Sequence, residues 1–332
     1  MRFRFSRTWL VLALSVLSSA SGQRFSQPSS VNNDSNSSKN TRPLAKVPTG
    51  VILVKGAWST ASDSVTSVPE EATVTNGVFN DPYFGITYSV PKNWTEKFKG
   101  PPPSASGRYV LAEIGLSEPL KGLARGSILI IAQDLFFTPL PAANATELIH
   151  YMKDNLQADY EVDTPPREIQ IAERSFAFFS YWSPVAQLHW YILATQIRCH
   201  AVEIVMSSRD IRLLQDLLRD MNGMELPEEA SPAGGLGGGT APACIKDYAR
   251  AENMITRVDP VLTGHKFNPV PVRIIIDKQG NIKHIHFLNA FSDQVQPITD
   301  ALSKWKFKRY QRNGQPVEVE TGIWFGNRPA YR

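Results

Sequence analysis

The sequence predicts an α+β protein of two domains, an α/β/α sandwich with a mostly antiparallel sheet followed by a small ββαβ domain. Three observations predict this class. Along 77–226, β-prone runs are accompanied by only two helical stretches, one among the strands and one at the end. A Gly/Ala/Pro stretch occupies 227–243, and residues 244–332 show a single strand, strand, helix, strand pattern. The composition, 42% hydrophobic and 20% charged over 332 residues, is that of a globular protein and excludes a disordered one.

The N-terminal segment has the pattern of a secretory signal. Three arginines lie within the first seven residues, the apolar segment Trp9–Leu17 follows them, and the small residues Ser18–Gly22 come next. We therefore predict a signal peptide over 1–22 and a periplasmic or secreted protein of the cell envelope. A retained membrane anchor is the alternative, although the segment is shorter than the roughly 20 residues that a spanning helix needs.

Two polar stretches divide the rest of the chain. Residues 23–48 are rich in Ser and Asn and poor in apolar side chains, a short β-prone run follows at 51–55, and polar sequence resumes to about Asn76, so we predict a disordered or extended arm over 23–76. Residues 227–243 are predicted as a flexible linker. Cleavage of the signal would remove three arginines and lower the formal net charge from +4 to +1. Because an exported protein rarely meets nucleic acid, no nucleic-acid partner is expected.

The first domain is predicted over 77–226. The apolar runs Arg108–Gly115 and Ser127–Asp134 are typical of strands, and 168–207 contains three or four more. Asn144 followed three residues later by Glu has the form of a capping box, so a helix should begin there. Ser208 is the predicted cap of a closing helix.

A short motif near the start of this domain has a family resemblance. The segment Asp81–Trp94 contains an aromatic–Gly–hydrophobic strand, Phe84-Gly85-Ile86, followed by Pro91-x-x-Trp94. It resembles the opening of PsbP/Mog1-like α/β/α domains, and the resemblance covers about residues 78–226. It implies a binding or assembly module and not an enzyme.

The second domain, 244–332, begins with a predicted hairpin. Val270–Ile276 and Ile282–Asn289 are β-prone, and the turn Asp277–Asn281 joins them. A helix is predicted from about Asp293 to Lys304 and a last strand over Pro316–Phe325.

This ββαβ pattern resembles the TonB C-terminal domain family over about residues 255–326. The matching pieces are the hairpin with its Asp-x-x-Gly turn, Trp305-x-Phe307, and the Asn-Gly-x-Pro-Val sequence that opens the last strand. In that family the last strand recruits an extended peptide of an outer-membrane receptor by strand addition. The alternative is an edge that charges and Pro316 protect from pairing. The resemblance implies a partner-binding edge strand at Val317, Glu318, Val319, Glu320 and Thr321.

Histidine and cysteine offer little chemistry in this sequence. His284 and His286 alternate along one strand and share a face, so together with His265 they form a conceivable metal site, but solvent-facing residues are the simpler interpretation. Cys199 and Cys244 are a possible disulfide, and a free, buried Cys199 is the alternative. We predict no catalytic residue, no metal and no cofactor.

These observations predict an exported, non-enzymatic protein that uses its TonB-like C-terminal domain as a protein- or peptide-binding module, with outer-membrane transport as a related role. The expected partner is a protein or an extended peptide segment, and the membrane is contacted only if the N-terminal segment is retained. The alternatives are an energy-transducing TonB family protein with a retained N-terminal anchor and an exported metal-dependent hydrolase. A third alternative is a carrier whose aromatic residues within 176–191 line a pocket for a small apolar ligand.

Overall fold

A computed structural model gives the fold of most of the chain. The predicted signal peptide, most of the predicted arm and residues 228–241 of the predicted linker lie outside the described residues. Residues Ala45–Arg332 form one compact unit, so the two-domain arrangement is not confirmed. We call residues 68–227 the first lobe and 242–326 the second lobe of this unit. The structure describes residues 51–53, 61–63, 68–98, 100, 106–116, 125–227, 242–263 and 268–326.

The described residues form a mixed α+β structure with mostly antiparallel sheets and few helices, as predicted at the level of fold class. The helices are α1 (Ala145–Asp154), α2 (Ile211–Asp220) and α3 (Ser292–Leu302). The strands are β1 (Val51–Leu53), β2 (Ala61–Asp63), β3 (Thr73–Thr75), β4 (Val78–Asp81), β5 (Ile86–Ser89), β6 (Trp94–Phe98), β7 (Arg108–Leu116), β8 (Gly126–Asp134), β9 (Glu161–Ile171), β10 (Arg174–Ser183), β11 (Leu188–Ile197), β12 (His200–Ser208), β13 (Ala243–Cys244), β14 (Met254–Thr256), β15 (Val270–Ile276), β16 (Ile282–Phe287), β17 (Lys306–Phe307), β18 (Gln311–Arg312), β19 (Gln315–Pro316) and β20 (Val319–Phe325).

The first lobe is built on a seven-stranded antiparallel sheet in the order β6-β7-β8-β12-β11-β10-β9. Its central strands β8, β11 and β12 are almost wholly buried, which explains their continuous apolar sequences. Helix α1 packs against β10 and β11, and α2 packs against β12. A small sheet, β3-β4-β5, contributes Phe79 and Tyr88 to the same core as Leu214 and Leu217 of α2.

The two helices of the first lobe differ in how closely the sequence predicts their starts. The Asn144 side chain accepts a hydrogen bond from the Glu147 N–H at 2.8 Å, and the Glu147 carboxylate accepts one from the Ala143 N–H at 2.8 Å, so the predicted cap is confirmed. For α2 the predicted cap, Ser208, is wrong by two residues. Asp210 caps the helix, and Ser208 instead accepts a hydrogen bond from the Asp210 N–H at 3.0 Å.

The second lobe contains the predicted hairpin, helix and last strand. Strands β15 and β16 pair antiparallel, and β20 pairs antiparallel with the other side of β15. In the turn, the Asp277 carboxylate accepts hydrogen bonds from the backbone N–H of Gln279 and Asn281. Gly280 has φ +88°, and a Cβ there would lie 2.2 Å from the Phe307 carbonyl oxygen, so only glycine fits.

Strand β15 is buried on both faces, which sets the geometry of the site. Val272 and Ile274 belong to the core of the second lobe, together with Ile298 and Leu302 of α3. The alternate residue Arg273 points away from that core and contacts Asp134 of the first lobe. The full sheet of the second lobe has the order β1-β2-β16-β15-β20-β13, so β13 lies beside β20 at its margin.

Candidate functional site at the margin of the last strand

The outer margin of β20 is covered at its beginning by β13. The two strands run parallel; the Ala243 N–H donates to the Glu318 carbonyl oxygen at 2.7 Å and the Ile245 N–H to the Glu320 carbonyl oxygen at 3.0 Å. The expectation of an exposed edge is therefore corrected, because this part of the margin already has a strand of its own chain. The predicted partner-binding residues are placed as follows: Val317 (9% exposed), Val319 (1%), Glu320 (1%) and Thr321 (0%) are buried, and Glu318 pairs with Lys283 at 2.9 Å.

A disulfide fixes β13 to the first lobe. Cys199 lies in the tight turn between β11 and β12, and it is bonded to Cys244 with a Cα–Cα distance of 5.5 Å. Cys199 is 1% exposed, whereas Cys244 is exposed. One Cys199 sulfur contact is with Glu320, whose Oε2 lies 3.5 Å from Sγ. The covalent bond, the covered margin and a buried carboxylate thus meet at one place.

The same place holds a buried ion cluster centred on Arg273. Its guanidinium donates to Glu320 Oε1 at 2.7 Å and, from two nitrogens, to Asp134 Oδ2. The Tyr83 hydroxyl donates to Glu320 Oε1 at 3.4 Å, and Arg198 lies over the Tyr83 ring at 4.1 Å. Both carboxylates and the guanidinium are almost fully buried, and each gains a partner of opposite charge, which a buried charge requires.

The pKa values of the two carboxyl groups in this cluster are shifted in opposite directions. Burial raises the pKa of Asp134, and the charge of Arg273 opposes this only in part. Burial acts on Glu320 in the same sense, but the charges of Arg273 and Arg198 outweigh it and lower the pKa of Glu320. Glu320 is therefore the more firmly ionised of the two, and it is the residue that ties β20 to Arg273.

His200 completes the cluster as a neutral side chain. Burial lowers the pKa of His200 well below its ordinary value, and the nearby charges of Arg273 and Arg198 act in the same direction. Its Nε2 lies 3.2 Å from an Arg273 nitrogen and accepts that N–H, so the proton of the neutral ring is on Nδ1. The rings of Tyr83 and Phe84 pack edge-on against it at 5.5 and 5.0 Å.

Sequence reasoning missed Arg273, Asp134 and His200. One signal was present: Arg273 is a single charge inside an otherwise apolar strand, and such a residue needs a buried partner. The partner itself, Asp134, lies 139 residues away in the sequence. No local pattern identifies a contact at that distance.

Beyond β13 the margin of β20 borders a groove. Strand β20 continues to Phe325, and its residues Gly322–Phe325 line a cavity of about 230 Å³ with the segment that follows β13. Gly322 is required here, because a Cβ would lie 2.8 Å from Phe136 Cβ and 2.8 Å from Phe137 Cζ. The other lining residues are Phe136, Lys246, Asp247, Ala249, Arg250, Arg257 and Trp305.

The histidine metal site has no structural counterpart in the described part of the chain. His284 and His286 both lie on β16; His286 is buried, and its Nε2 lies 3.5 Å from Glu70 Oε1. His265 falls outside the described residues. No group of metal-ligating side chains is found within the described ranges, and no helix there has the length and apolar character to cross a membrane.

Comparisons with known proteins find distant likenesses among solved structures alone. No family model matches the sequence, and no curated protein does, so they lend no support to the TonB resemblance, which stays a prediction. Among solved structures the chain is similar to the solution structure of cyanobacterial PsbP (CyanoP) from Synechocystis sp. PCC 6803. The identity is 13% and the TM-score 0.32, over 49% of this chain and 99% of that one. That protein bears the name of the family that residues 78–226 resemble, but at this TM-score it carries no argument about fold or function.

Proposed function

We propose that this chain is an exported, non-enzymatic binding protein whose second lobe takes up an extended peptide by strand addition at β20. The observation that carries the proposal is the mismatch between β13 and β20. Strand β13 pairs only with Val319 and Glu320, whereas β20 runs on to Phe325 beside a groove. The resemblance to TonB C-terminal domains implies the same mode of binding at the last strand.

The backbone at this margin suits an added strand. The Glu318 and Glu320 carbonyl oxygens point toward β13, because they accept its N–H groups. Backbone groups alternate in direction along a strand, so those of Gly322 and Trp324 point to the same side. An extended peptide that continues the line of β13 would meet these groups in register.

The side chains around the groove favour an acidic peptide. Lys246, Arg250 and Arg257 supply three positive charges, of which Arg250 pairs with Asp247 at 2.6 Å and Arg257 with Asp259 at 2.8 Å, so the groove keeps an excess of one positive charge. The Trp305 ring provides an apolar surface below Arg257, which lies 5.5 Å from the ring centroid. An extended peptide with acidic residues on one face and apolar residues on the other fits this lining.

Backbone pairing is tested with N-methylated peptides. Trp305 and Trp324 line the groove, so their fluorescence should report a titration of the full chain with acidic, alternating peptides. Methylating the alternate amides that face β20 should weaken binding about tenfold or more, because each removes a hydrogen-bond donor, while methylating the intervening amides should change it little. Equal binding by both methylated peptides, or none by the parent peptides, would overturn the proposal.

Charge selection has a matched control on the same chain. Arg250 pairs with Asp247, and Arg219 pairs with Asp216; both pairs are exposed and three residues apart. Arg250→Glu should weaken binding of the acidic peptide several-fold and flatten its salt dependence, whereas Arg219→Glu should leave both unchanged. Equal losses of peptide affinity in the two variants would show that binding depends on the overall charge of the chain and not on the charge of the groove, which would contradict the proposal.

A further inference from the structure

The disulfide and the covered margin of β20 belong to one structural unit. Strand β13 has only two residues, and its last residue, Cys244, is the one bonded to Cys199. Its hydrogen bonds to the β20 side are two from the backbone and one from the Thr321 hydroxyl to the Lys246 carbonyl oxygen at 3.3 Å, and Ile245 and Tyr248, which follow it, pack in the core of the second lobe. A two-residue strand is weakly held by pairing alone.

We propose that the Cys199–Cys244 disulfide is a redox latch: it keeps β13 on β20, and its reduction releases β13 and uncovers the margin at Glu318–Glu320. This regulation rests on the proposed function, because the uncovered margin joins the groove at Gly322–Phe325. In the oxidised chain the peptide site is confined to the groove. In the reduced chain it extends along the whole margin of β20.

The exposure of the two cysteines sets the direction of the exchange. Cys199 is 1% exposed and lies against Glu320, whereas Cys244 is open to solvent. A thiolate of a dithiol reductant attacks Cys244 Sγ, forms a mixed disulfide there, and displaces the Cys199 sulfur, which then takes up a proton. The second thiol of the reductant attacks the mixed disulfide and releases Cys244 as a thiol. The protein gains two electrons and two protons, and the dithiol becomes a disulfide.

Release of β13 has a clear backbone consequence. The Glu318 and Glu320 carbonyl oxygens lose the N–H groups of Ala243 and Ile245. An incoming strand can supply N–H groups at the same two positions and continue past Gly322. The lobes keep their other connection, since Arg273 still pairs with Asp134 and Glu320 independently of the disulfide.

Hydrogen exchange of the full chain tests the latch without any peptide. The oxidised chain is compared with the reduced, alkylated chain and with the Cys244→Ser variant. We expect the Ala243 and Ile245 amides to exchange at least about tenfold faster in both open forms. The Thr87 and Glu225 amides form an isolated two-way bridge in the first lobe without a disulfide, and they serve as the control that should not change.

Peptide binding to the same three proteins separates the latch from the function. A long acidic peptide should bind the open forms at least about tenfold more tightly than the oxidised form, and a short one equally. Unchanged exchange at Ala243 and Ile245, or equally faster exchange at the Thr87 control, would overturn the latch. Faster exchange at β13 with no peptide bound by any form would uphold the latch and reject the proposed function alone.

Discussion

The two faces of the second-lobe sheet are built on different principles. The face toward α3 is apolar, with Val272, Ile274 and Ile323 in one continuous core. The face toward the first lobe carries Arg273 and Glu320 in a buried ion cluster. An apolar face tolerates many similar packings, whereas a buried charge demands one particular partner. The comparison suggests that the first face drives folding and the second fixes how β20 meets the first lobe.

The largest effect should come from removing the central charge of the polar face. Arg273→Met leaves Asp134 and Glu320 buried without their cation, so we expect a loss of about 3–5 kcal/mol in the free energy of unfolding, measured with urea. The control lies next to it on the apolar face: Ile274→Val should cost only about 0.5–1.5 kcal/mol. Equal losses would remove the distinction between the faces.

A smaller effect is expected from overfilling the contact between the lobes. Gly322→Ala places a methyl group 2.8 Å from both Phe136 and Phe137, which should cost about 1–3 kcal/mol in unfolding free energy. Gly223→Ala is the matched control, because no neighbour lies within 4 Å of its Cβ position. If both variants unfold at the same urea concentration, the close approach of the lobes at β20 is not real.

The buried histidine should make stability depend on pH. Since the pKa of His200 is lowered in the folded chain, the unfolded chain binds more protons below pH 6.5. The contribution of His200 to the free energy of unfolding should therefore fall with acidification from pH 6.5 to 5, by up to about 1.4 kcal/mol per pH unit, whereas the raised pKa of Asp134 acts in the opposite direction. His200→Gln should flatten this slope, whereas His150→Gln, at an exposed position, should not. An unchanged slope in His200→Gln would contradict the assignment.

The smallest effect is expected at Glu318, and it tests whether burial separates the two neighbouring glutamates of one strand segment. Glu318 pairs with the exposed Lys283, two residues before the buried Glu320. Glu318→Gln should change the free energy of unfolding by less than about 0.5 kcal/mol, because exposed ion pairs contribute little. A loss as large as that of Glu320→Gln in the same urea experiment would mean that burial does not separate these two glutamates.

The sequence predicts local elements of this protein well. The α+β class, the cap at Asn144 and the hairpin turn at Asp277–Asn281 follow from short-range rules, since each depends on residues within a few positions of one another. The buried pairing of Arg273 with Asp134 could not be predicted, because it depends on how two distant segments meet. The pairing of β13 with β20 could not be predicted for the same reason, because these two strands are also far apart in the sequence.

The most direct test of the account is hydrogen exchange at the Gly322 and Trp324 amides during titration with an acidic extended peptide. Strand addition at β20 predicts that these two amides become at least about tenfold more protected at saturation, because their backbone groups lie on the margin beside the groove. Saturable binding that leaves both amides unprotected would place the partner elsewhere and contradict the account.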